Sequence, residues 1–88
     1  MQFQKQKQFS ATIRTRGSQK EFNFLKINSA SFPTYHIDVS DERGTRHYFS
    51  MVLSGDHWTF SAEKVPDWIR DAEKGLENAI LEYEKSRL

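Results

Sequence analysis

The chain has 88 residues, of which 36% are hydrophobic and 14% aromatic, and its thirteen Lys/Arg against twelve Asp/Glu give a net charge of +1. This length fits a single small domain with one core. The absence of cysteine excludes a disulfide framework and a thiolate metal site, and we expect a cytoplasmic protein. No apolar run reaches the length of a membrane span, and the first residues lack the apolar stretch of a signal peptide, so we expect no membrane partner.

The charge is unevenly distributed along the chain. Residues 1–20 contain no acid and five cations, namely Lys5, Lys7, Arg14, Arg16 and Lys20. The rest of the chain has eight Lys/Arg against twelve acids. We predict a flexible basic and Gln-rich arm over residues 1–7 and a single domain over residues 8–88. The basic region either contacts an anionic partner or is simply solvated.

The hydrophobic period changes once along the chain. Up to about Ala62 apolar residues recur at every second position, which is typical of half-buried strands, and after Pro66 they recur at three and four. The predicted strands are residues 8–15, 21–28, 34–40, 46–53 and 57–62. We therefore predict an α+β fold, an antiparallel β-meander of four to five strands with one C-terminal amphipathic helix packed on one face.

Two turns predict the register of the last three strands. A two-residue Gly55-Asp56 loop suits a type II′ hairpin and pairs Leu53 with Trp58 and Met51 with Phe60. A three-residue loop over residues 42–44, with glycine at the left-handed position, pairs Ile37 with Phe49. Both turns place the apolar side chains on the same face of the sheet.

The predicted helix begins near Pro66, whose fixed φ suits the first helical turn. Acidic residues follow at its positive end, basic residues occupy its negative end, and an apolar stripe runs along one side. Gly75 lies in the middle of this helix, where glycine costs about 1 kcal/mol relative to alanine. It indicates close approach of the helix to the sheet or to a second helix.

One helix covers one face of a sheet and leaves the other face open. The open face is predicted to carry Ser10, Thr12, Arg14, Arg16, His36, Asp38, Tyr48, Ser50, Val52, His57 and Thr59. It is a mostly polar surface with scattered cations and one aromatic ring.

The second strand is apolar on both sides, with Phe22 and Phe24 facing one way and Leu25 and Ile27 the other. A two-residue Gly17-Ser18 loop pairs Ile13 with Phe22 and buries both phenylalanines. A three-residue loop over residues 16–18 instead pairs Phe9 with Leu25 and exposes them. The two registers stay open at this point. If Phe22 and Phe24 lie on the open face, their rings and that of Tyr48 stand among the cations Arg14, Arg16 and Lys26. Aromatic rings among cations are typical of a surface that binds single-stranded nucleic acid.

The sequence contains no pattern typical of catalysis. Its three histidines have no diagnostic metal-ligand spacing, and the Ser54-Gly-Asp-His57 stretch is better explained as a turn than as a nucleophile triad. No Gly-rich phosphate loop follows a strand. We predict no enzyme, no metal and no small-molecule cofactor.

The layout of a meander ending in an amphipathic helix resembles the single-stranded nucleic-acid-binding modules of the PUR-repeat and Whirly type. Three stretches carry this resemblance: Glu21-Phe-Asn-Phe-Leu-Lys-Ile-Asn28, Tyr35-His-Ile-Asp-Val-Ser-Asp-Glu-Arg-Gly44 and the helix with Gly75-Leu-Glu-Asn-Ala-Ile-Leu81. The resemblance implies single-strand binding on the sheet side, paired subunits, and contacts by Phe22, Phe24, Lys26 and Tyr48.

Two functions follow as expectations. The first is a small binding module for single-stranded DNA or RNA that uses the open face and the basic N-terminal region. Its predicted contacts are Arg14, Arg16, Lys20, Phe22, Phe24, Lys26 and Tyr48. The alternative is a protein-interaction or regulatory domain whose open face or sheet edge docks a partner chain, or a second copy as a homodimer.

Overall fold

The computed structural model describes residues 8–27, 33–61 and 64–86. Its elements are β1 (Gln8–Thr15), β2 (Ser18–Ile27), β3 (Thr34–Ser40), β4 (Arg46–Ser54), β5 (His57–Phe60), α1 (Asp67–Arg70) and α2 (Glu73–Lys85). The five strands form one antiparallel sheet in the order β1-β2-β3-β4-β5. The α+β meander with a C-terminal helix is confirmed. The predicted arm, residues 1–7, lies outside the described residues.

The registers predicted from the last two turns are confirmed. Leu53 lies opposite Trp58 and Met51 opposite Phe60 in the β4–β5 pair. In the β3–β4 pair, Ile37 lies opposite Phe49. Gly44 and Gly55 both have positive φ, 87° and 64°, which glycine adopts without a Cβ penalty.

The first hairpin differs from both predicted registers. Its two-residue turn is Arg16-Gly17, with φ of 53° and 79°, and Ile13 lies opposite Lys20 while Ala11 lies opposite Phe22. A non-glycine residue rarely adopts positive φ, so the sequence pattern gave no reason to place Arg16 there. The register that exposes Phe22 and Phe24 is wrong, because the pairing found here turns both side chains toward the helix.

The core lies between the sheet and the helical segment. Phe22 is 0% and Phe24 1% exposed, and both belong to one apolar cluster. The buried hydrophobic residues of that cluster are Ile13, Phe22, Phe24, Tyr35, Ile37, Val39, Phe49, Met51, Trp58, Ile69, Ala72, Leu76 and Ile80. They come from all five strands and both helices, so the helical segment and the sheet bury one another.

The predicted single helix is divided by a turn at Asp71 and Ala72. Pro66 precedes α1 with a φ of −56°, as expected. Ala72 has φ −91° and ψ 4°, outside the helical range, and its N–H donates to the Ile69 carbonyl at 2.9 Å. This turn presents the Asp71 carboxylate to Arg16 Nε at 2.6 Å. The break therefore joins the helical segment to the first hairpin.

Gly75 marks the close approach of α2 to the sheet. A Cβ at this position would lie 2.8 Å from Cγ2 of Ile13, a branched side chain that is itself buried. The α2 helix also contacts β5, so it spans the two edge strands of the sheet. Of the two predicted explanations for Gly75, approach to the sheet is the one that the structure shows.

Replacing Gly75 with alanine is expected to lower the free energy of unfolding by about 1 kcal/mol. Overpacking costs about 1 to 3 kcal/mol, and the gain in helix propensity offsets about 1 kcal/mol of it. Urea denaturation measures the change. In an Ile13→Ala background, which removes the facing methyl group, Gly75→Ala should instead stabilise the protein. Stabilisation by Gly75→Ala in both backgrounds would show that the contact is not tight.

Candidate functional site: the open sheet face

The open face is the side of the sheet that the described helices do not cover. Alternation along β1 to β5 and the observed registers define its side chains. They are Gln8, Ser10, Thr12, Arg14, Gln19, Glu21, Asn23, Leu25, Ile27, Thr34, His36, Asp38, Ser40, Arg46, Tyr48, Ser50, Val52, Ser54, His57 and Thr59. Apart from Arg16, the predicted members of the open face lie there by this alternation; His57 lies opposite Ser54 on β5, and its Nδ1 is 3.1 Å from Glu77 Oε2.

A chain of hydrogen bonds crosses this face over four strands. Ser10 Oγ donates to Asn23 Oδ1 at 2.8 Å, and Asn23 Nδ2 donates to Asp38 Oδ1 at 2.9 Å. Arg46 Nη1 donates to the same Asp38 oxygen at 2.6 Å, and these two side chains form an ion pair. These bonds fix the side chains of one row, so that part of the surface has a defined shape before any partner arrives.

A shallow depression lies beside this polar row. Its volume is about 430 Å³, and its lining includes Leu25, His36, Asp38, Tyr48 and Ser50. Tyr48 is 75% exposed, which makes it the most exposed large hydrophobic residue among those described. An aromatic ring that projects from a sheet beside a partly apolar depression is typical of a protein contact surface.

The charge on the open face is balanced. Its two arginines, Arg14 and Arg46, are matched by the carboxylates of Glu21 and Asp38. Arg46 is held by Asp38, whereas Arg14 is exposed and forms no ion pair with another described residue. A surface that tracks a nucleic-acid backbone carries an excess of positive charge, and this face has none.

Three of the cations predicted to contact nucleic acid, namely Arg16, Lys20 and Lys26, instead pair with acids outside the open face. Arg16 lies in the β1–β2 turn and pairs with Asp71, which raises the pKa of its guanidinium. Lys26 Nζ lies on the helix-covered side, 2.8 Å from Glu84 Oε2, an oxygen that also accepts a hydrogen bond from the Tyr35 hydroxyl at 2.6 Å. These contacts attach α2 and the turn between α1 and α2 to the sheet.

Lys20 also lies on the helix-covered side. Its Nζ is 5.8 Å from the centre of the Trp68 ring and 3.8 Å from Glu42. Together with Thr15, Arg16 and Ser18, these side chains line a cleft of about 280 Å³ near α1. Sequence reasoning missed this cleft, because its members come from β1, β2, the β3–β4 loop and α1 and share no local pattern. Its cations are already matched by acids, so it presents no unpaired charge to a ligand.

The predicted stacking contacts Phe22 and Phe24 belong to the core. Phe24 stacks on Phe9 with ring centres 4.4 Å apart, and Phe22 meets Phe49 edge to face at 6.4 Å. Neither ring is available on the surface for a nucleic-acid base. Of the three predicted stacking rings, only Tyr48 is exposed.

The histidines do not form a metal site among the described residues. His47 Nε2 is 3.0 Å from Asp41 Oδ2, and His57 Nδ1 is 3.1 Å from Glu77 Oε2. The hydrogen bond with His47, supported by the backbone N–H groups of Thr45 and Arg43, lowers the pKa of Asp41. Asp41 and His47 thus close the β3–β4 loop.

Comparison with known proteins found no matching family model, no similar curated protein and no similar solved structure. The resemblance to PUR-repeat and Whirly modules therefore stays a prediction. Within the described ranges, neither helix has the length and apolar character that crossing a bilayer requires.

Proposed function

We propose that this chain is a protein-interaction domain that docks a second copy of itself through the open sheet face. Tyr48, which projects beside the depression lined by Leu25 and His36, is the observation that carries the proposal. In a two-fold dimer, each copy presents the same surface to the other. A projecting ring and a depression on one face therefore allow each Tyr48 to enter the depression of the partner copy.

The balance of charge on the open face supports this pairing. Two faces with two arginines and two carboxylates each meet without net repulsion, whereas two strongly basic faces would repel one another. The apolar side chains of Leu25, Ile27 and Val52 are only partly buried in the single chain. Packing two sheets face to face removes such side chains from water, and this burial favours association.

Sedimentation equilibrium over a range of protein concentrations tests the proposal. The wild-type chain is expected to form a concentration-dependent dimer. Tyr48→Arg is expected to weaken it by at least about 30-fold, because truncating or charging a central aromatic contact costs about 2 kcal/mol or more. The matched control is Leu81→Arg, which charges another exposed apolar residue, on α2. A monomer at every concentration, or equal weakening by both variants, would contradict the proposal.

Single-strand nucleic-acid binding is a second candidate, favoured by one observation. Tyr48 is exposed, and Arg46 lies two residues earlier on the same face of β4, so a stacked base and a cation would be neighbours. Arg14 and the basic first twenty residues would supply phosphate contacts. The candidate requires that binding of a short single strand fall steeply with salt and weaken in Arg14→Glu. Arg16 is unsuitable for this test, because reversing its charge would place two acids together at Asp71.

A further inference from the structure

The two edges of the sheet are protected to different degrees. β5 has only four residues, and the N–H of Trp58 donates to Glu77 Oε2 at 3.1 Å. β1 has eight residues and is the other edge. A long strand with unpaired backbone groups is a template for another strand unless something covers it.

The register identifies the backbone groups of β1 that point away from β2. In a two-residue hairpin, the residues that flank the turn form a hydrogen-bonded pair, here Thr15 and Ser18. Hydrogen-bonded and non-hydrogen-bonded pairs then alternate along the strand. The outward N–H and C=O groups accordingly belong to Gln8, Ser10, Thr12 and Arg14. These four residues are exposed, and their backbone groups accept or donate no other hydrogen bond within the described residues.

The two sides of this edge differ in chemistry. On the helix-covered side, Phe9 is stacked between Phe24 and Tyr83, with ring centres 4.4 and 4.2 Å away, and both Phe9 and Tyr83 are only half-buried. On the open side, the guanidinium of Arg14 has no acidic partner among the described residues. A strand added here would place alternate side chains against the aromatic rings and the others beside a cation.

We propose that the β1 edge binds an extended, acidic segment of a partner polypeptide by strand addition. Backbone hydrogen bonds to Ser10, Thr12 and Arg14 provide the attachment, and apolar side chains of the segment pack on Phe9 and Tyr83. Charge complementarity selects an acidic segment, since Arg14 is the one charged residue of β1 and has no acidic partner among the described residues, and the sequence before it contains Lys5, Lys7 and no acid. A second copy of β1 contains Arg14 and no acid, so antiparallel pairing of two β1 strands offers Arg14 no opposite charge.

A labelled synthetic peptide of alternating glutamate and valine, with a lysine–valine peptide as its charge-reversed control, tests the proposal on the full chain. Fluorescence anisotropy is expected to show saturable binding of the acidic peptide and much weaker binding of the basic one. On adding the acidic peptide, NMR hydrogen exchange should slow at the amides of Ser10, Thr12 and Arg14. Failure of the acidic peptide to bind, or protection elsewhere with these amides unchanged, would overturn the proposal.

Thr12→Pro removes one outward N–H while leaving the hydrogen bonds between β1 and β2 in place, since edge strands tolerate proline at such positions. It is expected to weaken peptide binding about ten-fold or more, whereas Thr12→Ala, which keeps the N–H, should bind as wild type. If Thr12→Pro does not fold, the test compares Arg14→Glu with Arg14→Gln. Binding of the acidic peptide is expected to weaken more in Arg14→Glu. Equal binding by the paired variants would overturn the proposal.

The edge and the open face are tested separately. Tyr48→Arg is expected to leave peptide binding unchanged, because Tyr48 lies on β4 and the peptide binds at the β1 edge. If Thr12→Pro abolishes a dimer that Tyr48→Arg does not affect, β1 pairs with a second copy, and the acidic-segment proposal is overturned. If the chain is monomeric and still binds the acidic peptide, that result contradicts the proposed dimer and supports the proposed strand addition.

Discussion

Replacing Phe24 with alanine is expected to lower the free energy of unfolding by about 3 to 5 kcal/mol, the usual cost of removing a large aromatic side chain from a core. Phe24 is 1% exposed, stacks on Phe9 and meets Tyr35 edge to face. Domains of this size have a total stability of about 4 to 13 kcal/mol, so the variant loses much of it. Urea denaturation followed by tryptophan fluorescence measures the change.

Tyr48→Ala is the matched control for Phe24→Ala, because it removes a similar ring from the opposite face of the sheet. At protein concentrations where the chain is monomeric, its effect should stay within about 0.5 kcal/mol. Similar losses for the two variants would show that the assignment of the covered and open faces is wrong. A large loss for Phe24→Ala alone supports both the observed register and the exclusion of Phe24 from any surface role.

Replacing Glu77 with alanine is expected to cost about 1 to 3 kcal/mol, because it leaves the Trp58 N–H at the β5 edge without its acceptor. The same Glu77 oxygen lies 3.1 Å from His57 Nδ1. Glu77→Gln keeps an oxygen that can accept from Trp58, so its loss should be clearly smaller. Thermal or urea unfolding compares the stabilities.

Hydrogen exchange gives the Glu77 prediction a local readout. The Trp58 amide should exchange faster in Glu77→Ala than in the wild type or in Glu77→Gln, while amides in the middle of β3 change only with global stability. An unchanged Trp58 exchange rate in Glu77→Ala would contradict the edge-capping role. Increased self-association of Glu77→Ala is a further expected result, since uncovered strand edges pair with other chains.

The turns explain why part of the sheet was predictable from sequence. Gly44 and Gly55 each occupy a left-handed position in a short loop, and this local requirement fixed the pairing of β3, β4 and β5. Alternation of apolar residues then assigned Ile37, Phe49 and Met51 to a common face. Local chemistry and the hydrophobic pattern agreed in this half of the sheet.

The first hairpin was not predictable, because contacts distant in sequence stabilise its turn. Arg16 has a φ of 53° while its side chain is bound to Asp71, and the hydroxyl of neighbouring Thr15 donates to the Trp68 carbonyl at 2.6 Å. Neither partner can be identified from the residues around Gly17. The sequence alone offered two registers, and a third one formed.

The candidate site was predictable only in outline. An open face with Tyr48 and Arg14 follows from counting layers and from alternation. The depression beside Tyr48 and the hydrogen bonds from Ser10 to Asn23 and Asp38 depend on which residues become neighbours across β1, β2 and β3. The Ser10–Asn23 contact follows from the register of the first hairpin, and the Asn23–Asp38 contact follows from the β2–β3 register, for which no turn gave a prediction. The wrong register of the first hairpin also suggested stacking rings that are in the core.

The order of the strands has a consequence for how the chain folds. Every strand pairs with its neighbours in sequence, so the sheet forms through contacts of short sequence separation, which favours rapid folding. The residues that cover its apolar side, including Ile69, Leu76 and Ile80, come last in the sequence. During synthesis the strands leave the ribosome first and expose their phenylalanines until α2 follows. Apolar surface exposed in this interval favours aggregation until α2 packs on the sheet.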